Sequence, residues 1–176
     1  MKKLLTIILL CLPLTAMAET ATSGDQPKAA NSAVIAQMEA LAKAGIEEAL
    51  KAIQRSGGFY PFAMVINQGE GSVQLVGYQG DPATKPPADQ FAAALFLQLR
   101  ELAGKDPGLL AAVIMKPFQA DAADGKKIPG VWAAIDHRNE TPRVLFQPLI
   151  PQESGRYTLG QVIYQKSEEA IFPKAP

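Results

Sequence analysis

Residues 59–66 read FYPFAMVI, and the predicted fold is built around this stretch. It is apolar on both faces and rich in aromatic and branched side chains, which predicts a central strand buried on both sides. Pro61 must stand at the start of that strand, because proline has no N–H to donate to a neighbouring strand. The polar residues 67–71 predict a turn, and residues 72–78 (SVQLVGY) predict the second strand of a hairpin.

Two helices are predicted around this hairpin. Residues 34–53 carry apolar side chains at three- and four-residue steps after Asn31-Ser32, either of which can cap a helix. Gly57-Gly58 supplies the usual left-handed stop. Asp89 is the predicted cap of a second helix over residues 90–103, whose broad apolar arc predicts deep packing on the sheet.

Three more strands are predicted from apolar runs joined by short polar links, which favour antiparallel neighbours. These runs are residues 109–118 (LLAAVIMKPF), 130–137 (GVWAAIDH) and 143–150 (RVLFQPLI). Residues 155–165 alternate and predict an edge strand. The order is α-β-β-α-β-β-β, with one further strand at the end. It predicts an α+β fold, a single domain over residues 31–165 with a mostly antiparallel sheet of about five strands. Residues 166–176 are predicted to be a tail along the surface.

Residues 1–18 have the three parts of a secretory signal peptide. Lys2-Lys3 precede a short apolar run, and the tripeptide AMA at 16–18 is a cleavage site. The apolar run is about ten residues long, whereas about twenty are needed to cross a membrane. We therefore expect cleavage after Ala18, a flexible leader over residues 19–30, and a periplasmic or secreted protein with no stable membrane anchor.

The composition excludes several kinds of function. Cys11 is the only cysteine, and its apolar neighbours on both sides do not fit lipoprotein processing. The expected mature chain thus has no cysteine for disulfides, thiol catalysis or thiolate metal sites. Of the 17 basic residues it loses Lys2 and Lys3, so 15 remain against 17 acidic ones and the formal charge is −2. No block of like charge suggests nucleic acid as a partner.

The order of elements over residues 31–150 resembles that of the profilin-like and roadblock/longin domains. This resemblance implies a platform for ligand sensing or protein docking. Residues 58–62 (GFYPF), followed by a strand and Gly69-Glu70, look like the opening of small bacterial αββαβββ proteins. Some of those are thought to be immunity proteins against secreted toxins. Neither resemblance assigns a functional residue.

The only histidine, His137, lies in Asp136-His137-Arg138 at the predicted end of a strand. Active-site side chains often project there, and an ordinary polar strand end is the alternative. Adjacent strand residues point to opposite faces, so Asp136 and Arg138 are interpreted as a surface pair without His137. For the same reason Trp132 and His137 should face opposite sides. With one histidine and no cysteine, no metal, cofactor or catalytic residue is predicted.

The remaining candidate is an interaction surface. Aromatic side chains near the sheet ends could cluster as interaction hot spots, and packing in the core is the alternative. Those aromatic residues are Phe59, Tyr60, Trp132, Phe146, Tyr157 and Tyr164. The candidate interaction surface comprises Tyr60, Trp132, His137, Arg138, Tyr157 and Tyr164.

Two hypotheses about function follow. The first is a non-enzymatic periplasmic protein-interaction protein, of which an immunity protein is one kind. Its partner is another protein or a second copy, and the edges at residues 72–78 and 157–165 could pair with it. The second is a small-ligand sensor with a pocket between the second helix and the sheet. An enzyme would have to be assembled from distant residues, with His137 as the only one that can be named.

Overall fold

The strand predicted from residues 59–66 is β1 (Phe62–Asn67), which begins directly after Pro61. In this computed structural model β1 is central in its part of the sheet, with β2 (Val73–Val76) on one side and β3 (Leu109–Asp121) on the other. Both pairings are antiparallel, so the hairpin prediction is confirmed, and β2 is shorter than expected. The structure describes residues 26–69, 73–153 and 155–173, with the backbone alone described for 26–30.

The predicted signal peptide and the first residues of the leader lie outside the described residues. So does part of the predicted turn at residues 67–71. The leader prediction extended too far, because the first helix already begins at Gln26.

Four more strands complete the sheet: β4 (Lys127–His137), β5 (Arg143–Pro151), β6 (Tyr157–Leu159) and β7 (Ile163–Lys166). The order is β2-β1-β3-β4-β5-β6, with β7 also paired to β5, and every pairing is antiparallel. The predicted α+β fold with a mostly antiparallel sheet is therefore confirmed.

β6 and β7 are two parts of one edge strand along β5. Leu149 pairs with Leu159 and Phe146 pairs with Ile163, so two residues of β5 stand opposite three residues of the edge, 160–162. One extra residue on one strand of a pair is a β-bulge. The edge strand predicted over residues 155–165 is present, with this bulge at its centre.

Two long helices cover opposite faces of the sheet. α1 (Gln26–Ser56) ends at Gly57, whose φ of 76° confirms the predicted left-handed stop. α2 (Ala88–Lys105) follows Pro87, so Asp89 lies in its first turn and does not cap it. A short 3-10 helix at Pro82–Thr84 lies in the preceding loop.

Each helix packs on alternate residues of the strands, because successive strand side chains point to opposite faces of the sheet. α1 buries Met38, Leu41 and Ile46 against side chains that include Val113 and Ile135. Gly45 lets α1 approach closely, since a Cβ there would lie 2.1 Å from the end of the Met115 side chain. Full burial of a Leu or Ile side chain stabilises the fold by about 1.5–3 kcal/mol. The cluster under α1 has 14 buried residues and the cluster under α2 has ten, so the α1 layer is the larger part of the core among the described residues.

Candidate binding surface

α2 covers only half of its own face of the sheet. Its buried residues Leu95 and Leu99 pack on Val65 of β1 and on Ala112 and Ile114 of β3. The same face of β4, β5 and β7 lies beside the helix and is left as an open trough, which we call the α2-side trough. Its lining includes the large apolar residues Phe96, Leu97, Phe118, Trp132, Phe146 and Ile163.

Two cavities make up the α2-side trough, one of about 540 Å³ and one of about 300 Å³, and Trp132 lines both. Leu97 on the helix side is 64% exposed, and Ile163 on the opposite rim is 52% exposed. Both walls thus present apolar side chains to solvent. Contiguous apolar surface of this kind is common where proteins bind ligands or partners.

A glycine shapes the aromatic floor of the trough. Phe118 and Phe146 meet edge to face, with ring centroids 5.8 Å apart. Phe146 lies over Gly130 of β4, where a Cβ would stand 2.2 Å from the Phe146 ring and 2.6 Å from the carbonyl oxygen of Gln147. Only glycine allows this ring to lie so close to the neighbouring strand.

Lys116 is the charged residue at the centre of the trough. Its Nζ lies 5.1 Å from the Trp132 ring centroid and 5.8 Å from that of Phe118. An ammonium group is attracted to an aromatic face at these distances. Nζ also donates a hydrogen bond of 2.8 Å to Oδ1 of Asp89, which balances its charge. The trough is therefore apolar in its floor and carries little net charge at its centre.

The predicted surface pair of Asp136 and Arg138 is wrong. Asp136 is 3% exposed, and its Oδ2 accepts hydrogen bonds from the N–H groups of Ile171 at 2.6 Å and Phe172 at 3.0 Å. Its Oδ1 accepts a third, of 2.8 Å, from the N–H of His137. The C-terminal tail causes the difference. It does not lie along the surface as expected but inserts Ile171 and Phe172 into the core under α2, 1% and 3% exposed.

His137 is buried and points to the opposite face from Trp132, as predicted. Its Nδ1 accepts a hydrogen bond of 3.0 Å from the N–H of Asn139, so the ring proton lies on Nε2, 3.1 Å from Oε1 of Gln37 in α1. Burial lowers the pKa of His137; Glu140 opposes the shift and Arg138 adds to it. Both ring nitrogens are engaged within the fold, so the residue links β4 to α1.

Arg138 holds the end of α2. Its guanidinium donates to the carbonyl oxygens of Ala103 and Asp106, both at 2.9 Å, and its Nε donates to that of Leu109 at 3.0 Å. These oxygens lie at the helix C-terminus and at the start of β3, where a cation is favoured. The same guanidinium lies 5.1 Å from the ring centroid of Phe172.

Tyr60 belongs to a packed cluster at the other end of the sheet. Its ring stacks on Phe91 at 5.1 Å and meets Tyr78 at 5.9 Å, and its hydroxyl donates to the carbonyl oxygen of Pro86 at 2.6 Å. Desolvation, followed by the proximity of Tyr78, raises the pKa of Tyr60. Its role is to attach the loop before α2 to the start of β1.

The two remaining predicted tyrosines are partly exposed near the outer edge of the sheet. Tyr157 is 39% exposed and lines a cavity of about 450 Å³ at the end of the sheet. This cavity reaches from Ile53 in α1 to Lys116 and Phe118 in β3. Tyr164 is 49% exposed on β7. Of the six residues predicted as an interaction surface, the structure brings together only His137 and Arg138, which are neighbours in sequence. Trp132 alone lies in the α2-side trough.

Within residues 26–69, 73–153 and 155–173, no three His, Cys, Asp or Glu side chains converge as a metal site would need. In the same part of the chain, no helix is long and apolar enough to cross a membrane.

No protein-family model, curated protein or solved structure matches the chain. The resemblances drawn from the order of elements and from residues 58–62 therefore stay predictions.

Proposed function

We propose that this chain is an exported, non-enzymatic protein-interaction protein that binds a partner protein in the α2-side trough. The observation that carries the proposal is the trough itself, in which large apolar side chains line a half-face of the sheet beside α2. Monomeric proteins rarely leave such a face open unless something binds there. Its aromatic residues are of the type that dominates binding energy at protein interfaces, and Trp132 stands at the centre.

Exposed strand edges support the same proposal. In the described part of the chain, β2 pairs only with β1, and its Val73 and Leu75 are 43% and 53% exposed. Among the described strands β7 pairs with β5 alone, and each of its four residues is exposed. A strand at the edge of a sheet can accept a strand from another chain, and the edge at β7 adjoins the trough through Ile163.

The engagement of His137 supports a binding role over a catalytic one. A general base needs a ring nitrogen within reach of a substrate proton. Here Nδ1 faces the backbone N–H of Asn139 and Nε2 faces Gln37. The side chain is 3% exposed on the face covered by α1 and lines neither cavity of the trough.

The test uses two exposed leucines on α2. Leu97 lines the trough, whereas Leu102 is 44% exposed and lines none of the cavities described above. Tagged wild-type protein, Leu97→Asp and Leu102→Asp would each be used to capture complexes from periplasmic extract. We expect wild type and Leu102→Asp to retain one stoichiometric partner. Leu97→Asp should lose it by at least about tenfold in affinity, or 1.4 kcal/mol. Equal capture by the two variants would exclude the trough as the binding surface.

Export is tested separately from binding. The signal peptide predicts that the cell-associated mature protein begins at Glu19 and is released by osmotic shock. Intact-mass measurement of the released protein distinguishes this N-terminus from Met1. A full-length chain in the cytoplasmic fraction would contradict the proposal of export but leave the trough experiment unaffected.

A small-ligand sensor is the second candidate. The observation that favours it is the cavity of about 540 Å³ between α2 and the sheet, which lies within the size range of small-molecule sites. A ligand that binds only the folded protein raises its Tm. A metabolite screen by thermal shift would identify such a ligand in wild type, and Trp132→Ala should abolish the shift. No shift across the screen, together with a captured protein, would exclude this alternative.

A further inference from the structure

The described part of the C-terminal segment is anchored to the body of the protein where Ile171 and Phe172 are buried. We call residues 167–173 the strap. Its two buried residues, Ile171 and Phe172, direct successive N–H groups to the same carboxylate oxygen of Asp136. Their side chains enter the apolar layer under α2, and the Phe172 ring lies against the guanidinium of Arg138. The strap is thus recognised by two apolar side chains, two backbone donors and one cation–π contact.

The site that receives the strap is built by other elements. Asp136 lies near the end of β4 and Arg138 directly follows the strand. The Arg138 guanidinium is held by the carbonyl oxygens of Ala103, Asp106 and Leu109, and the backbone N–H of Arg138 donates to that of Leu110. Leu99, Ala103 and Ala112 supply the apolar floor. None of these groups needs the strap to fix its backbone position, because helix and strand hydrogen bonds already do so. The site would therefore persist if the strap left it.

The strap itself is separable from the sheet. It follows Lys166, the last residue of β7, and the segment before Ile171 has no helical or strand structure. Its hydrogen bonds near Ser167 are local, with Glu169 at 2.9 and 3.2 Å, apart from one of 3.0 Å from the Ser167 N–H to Pro142. Glu168 and Glu169 are exposed. Release of Ile171 and Phe172 would break no helix or strand pairing.

The strap also forms one end of the α2-side trough. Glu169 lines the cavity of about 540 Å³ together with Trp132 and Ala134. Displacement of the strap would therefore join the site at Asp136 to this cavity and lengthen the trough along β4. A partner segment lying in the trough would meet the strap at that end.

We propose that the site under the strap is a peptide-binding site, and that a partner segment displaces the strap from it. The strap defines the chemistry of that partner, which is an extended segment with an aliphatic residue followed by an aromatic one and with both backbone N–H groups free. This inference rests on the proposed function, because it names the partner segment for the same trough.

The first test uses the wild-type protein and needs no substitution. If the strap opens locally, the amides of Ile171 and Phe172 exchange with solvent through that opening. The amides of Val113 and Ile114 in β3, which is paired on both sides, exchange only through larger unfolding. We expect exchange at the two strap amides to be at least about a hundredfold faster. Equal exchange rates would mean that the strap leaves only when the whole domain unfolds, and this result would overturn the proposal.

The second test adds the strap sequence in trans. A fluorescent synthetic peptide with the sequence of residues 167–176 would be titrated into the wild-type mature protein and into Phe172→Ala, which weakens the strap and keeps the site. Because the strap competes for the site, we expect the variant to bind the peptide at least about tenfold more tightly. A control peptide with alanine at the positions of Ile171 and Phe172 should bind neither protein.

The outcomes separate this inference from the proposed function. If the peptide binds neither protein while Phe172→Ala retains a cooperative thermal transition, the strap site is closed to partners and the inference fails. Dimers of wild type that dissociate on addition of the peptide would assign the site to the strap of a second copy, and would also overturn it. In either case the comparison of Leu97→Asp with Leu102→Asp still decides whether the trough binds a partner.

Discussion

Replacement of Arg138 by methionine should destabilise the whole domain. The substitution keeps an unbranched side chain of similar reach but removes the guanidinium that donates to Ala103, Asp106 and Leu109. These oxygens belong to Ala103 in the last turn of α2, to Asp106 directly after the helix, and to Leu109, the first residue of β3. Arg138 thus joins the two elements on either side of the loop at residues 106–108, and its loss should release the end of α2.

The magnitude follows from the exposure of the three bonds. A hydrogen bond to a charged group contributes about 1.5–3 kcal/mol when it is buried. The bonds to Ala103 and Leu109 are partly buried, whereas the bond to Asp106 is exposed, so water can replace it. Taking the lower value for two bonds, and allowing for the cost of desolvating the guanidinium, we expect a loss of about 2–3 kcal/mol. For a chain of this size that corresponds to a fall in Tm of about 4–12 °C.

Urea titration of the mature protein provides the assay, because Trp132 fluorescence and far-UV circular dichroism report the sheet and the helices separately. In Arg138→Met, the midpoints of both transitions should move together to a lower urea concentration, with an unchanged m value. Lys105→Met is the matched control, since Lys105 lies in the same turn of α2 with its side chain 71% exposed. It should change the free energy of unfolding by less than about 0.5 kcal/mol. Equal stability of Arg138→Met and Lys105→Met would refute the role assigned to Arg138.

Three further predictions concern the interior. Burial lowers the folded-state pKa of His137, so the unfolded chain binds the proton more readily. The free energy of unfolding should therefore decrease as the pH drops below the unfolded-state pKa of about 6.5. In thermal melts between pH 7.5 and 5.5, the Tm of His137→Gln should decrease less than that of wild type. Gly130→Ala should lower the free energy of unfolding by about 1–3 kcal/mol, because the new Cβ meets the Phe146 ring and the carbonyl oxygen of Gln147. Gly58 has open space around it, so Gly58→Ala should leave the Tm nearly unchanged in the same melts. Tyr60→Phe should cost about 1 kcal/mol in urea titration by removing the hydrogen bond to Pro86, and an unchanged midpoint would contradict that.

Much of the fold could be predicted from the sequence because its signals are local. Hydrophobic runs joined by short polar links leave antiparallel pairing as the simple solution, and β3, β4 and β5 pair in that way. Alternation along β4 placed Trp132 and His137 on opposite faces, and they lie there. It also placed Asp136 and Arg138 on one face, and both contact the strap on that face.

The errors arose where distant segments decide the environment. The sequence predicts Asp136 as a surface residue, because nothing near it in sequence indicates that Ile171 and Phe172 return to cover it. An adjacent pair of apolar residues near a chain end has no period that predicts burial. The position of α2 could not be predicted either, because a broad apolar arc shows that a helix is buried but not which strands it covers. The α2-side trough exists because of that position. One sequence feature points to the trough. Lys116 is a charged residue in an otherwise apolar strand, and it lies two residues before Phe118 on the same face.

The bulge between β6 and β7 places Tyr157 and Tyr164 on the same face of the sheet. Tyr157 and Tyr164 are seven residues apart, and on an uninterrupted strand they would point in opposite directions. With the extra residue, Tyr157 stands opposite Pro151 and Tyr164 opposite Leu145, so both lie on the α1 side and Ile163 turns towards Phe146. Deletion of one residue within 160–162 would remove the bulge and leave Ile163 opposite Phe146, because two residues would then stand opposite two. The edge could thus lose one residue in evolution while the side chains that line the trough stay the same.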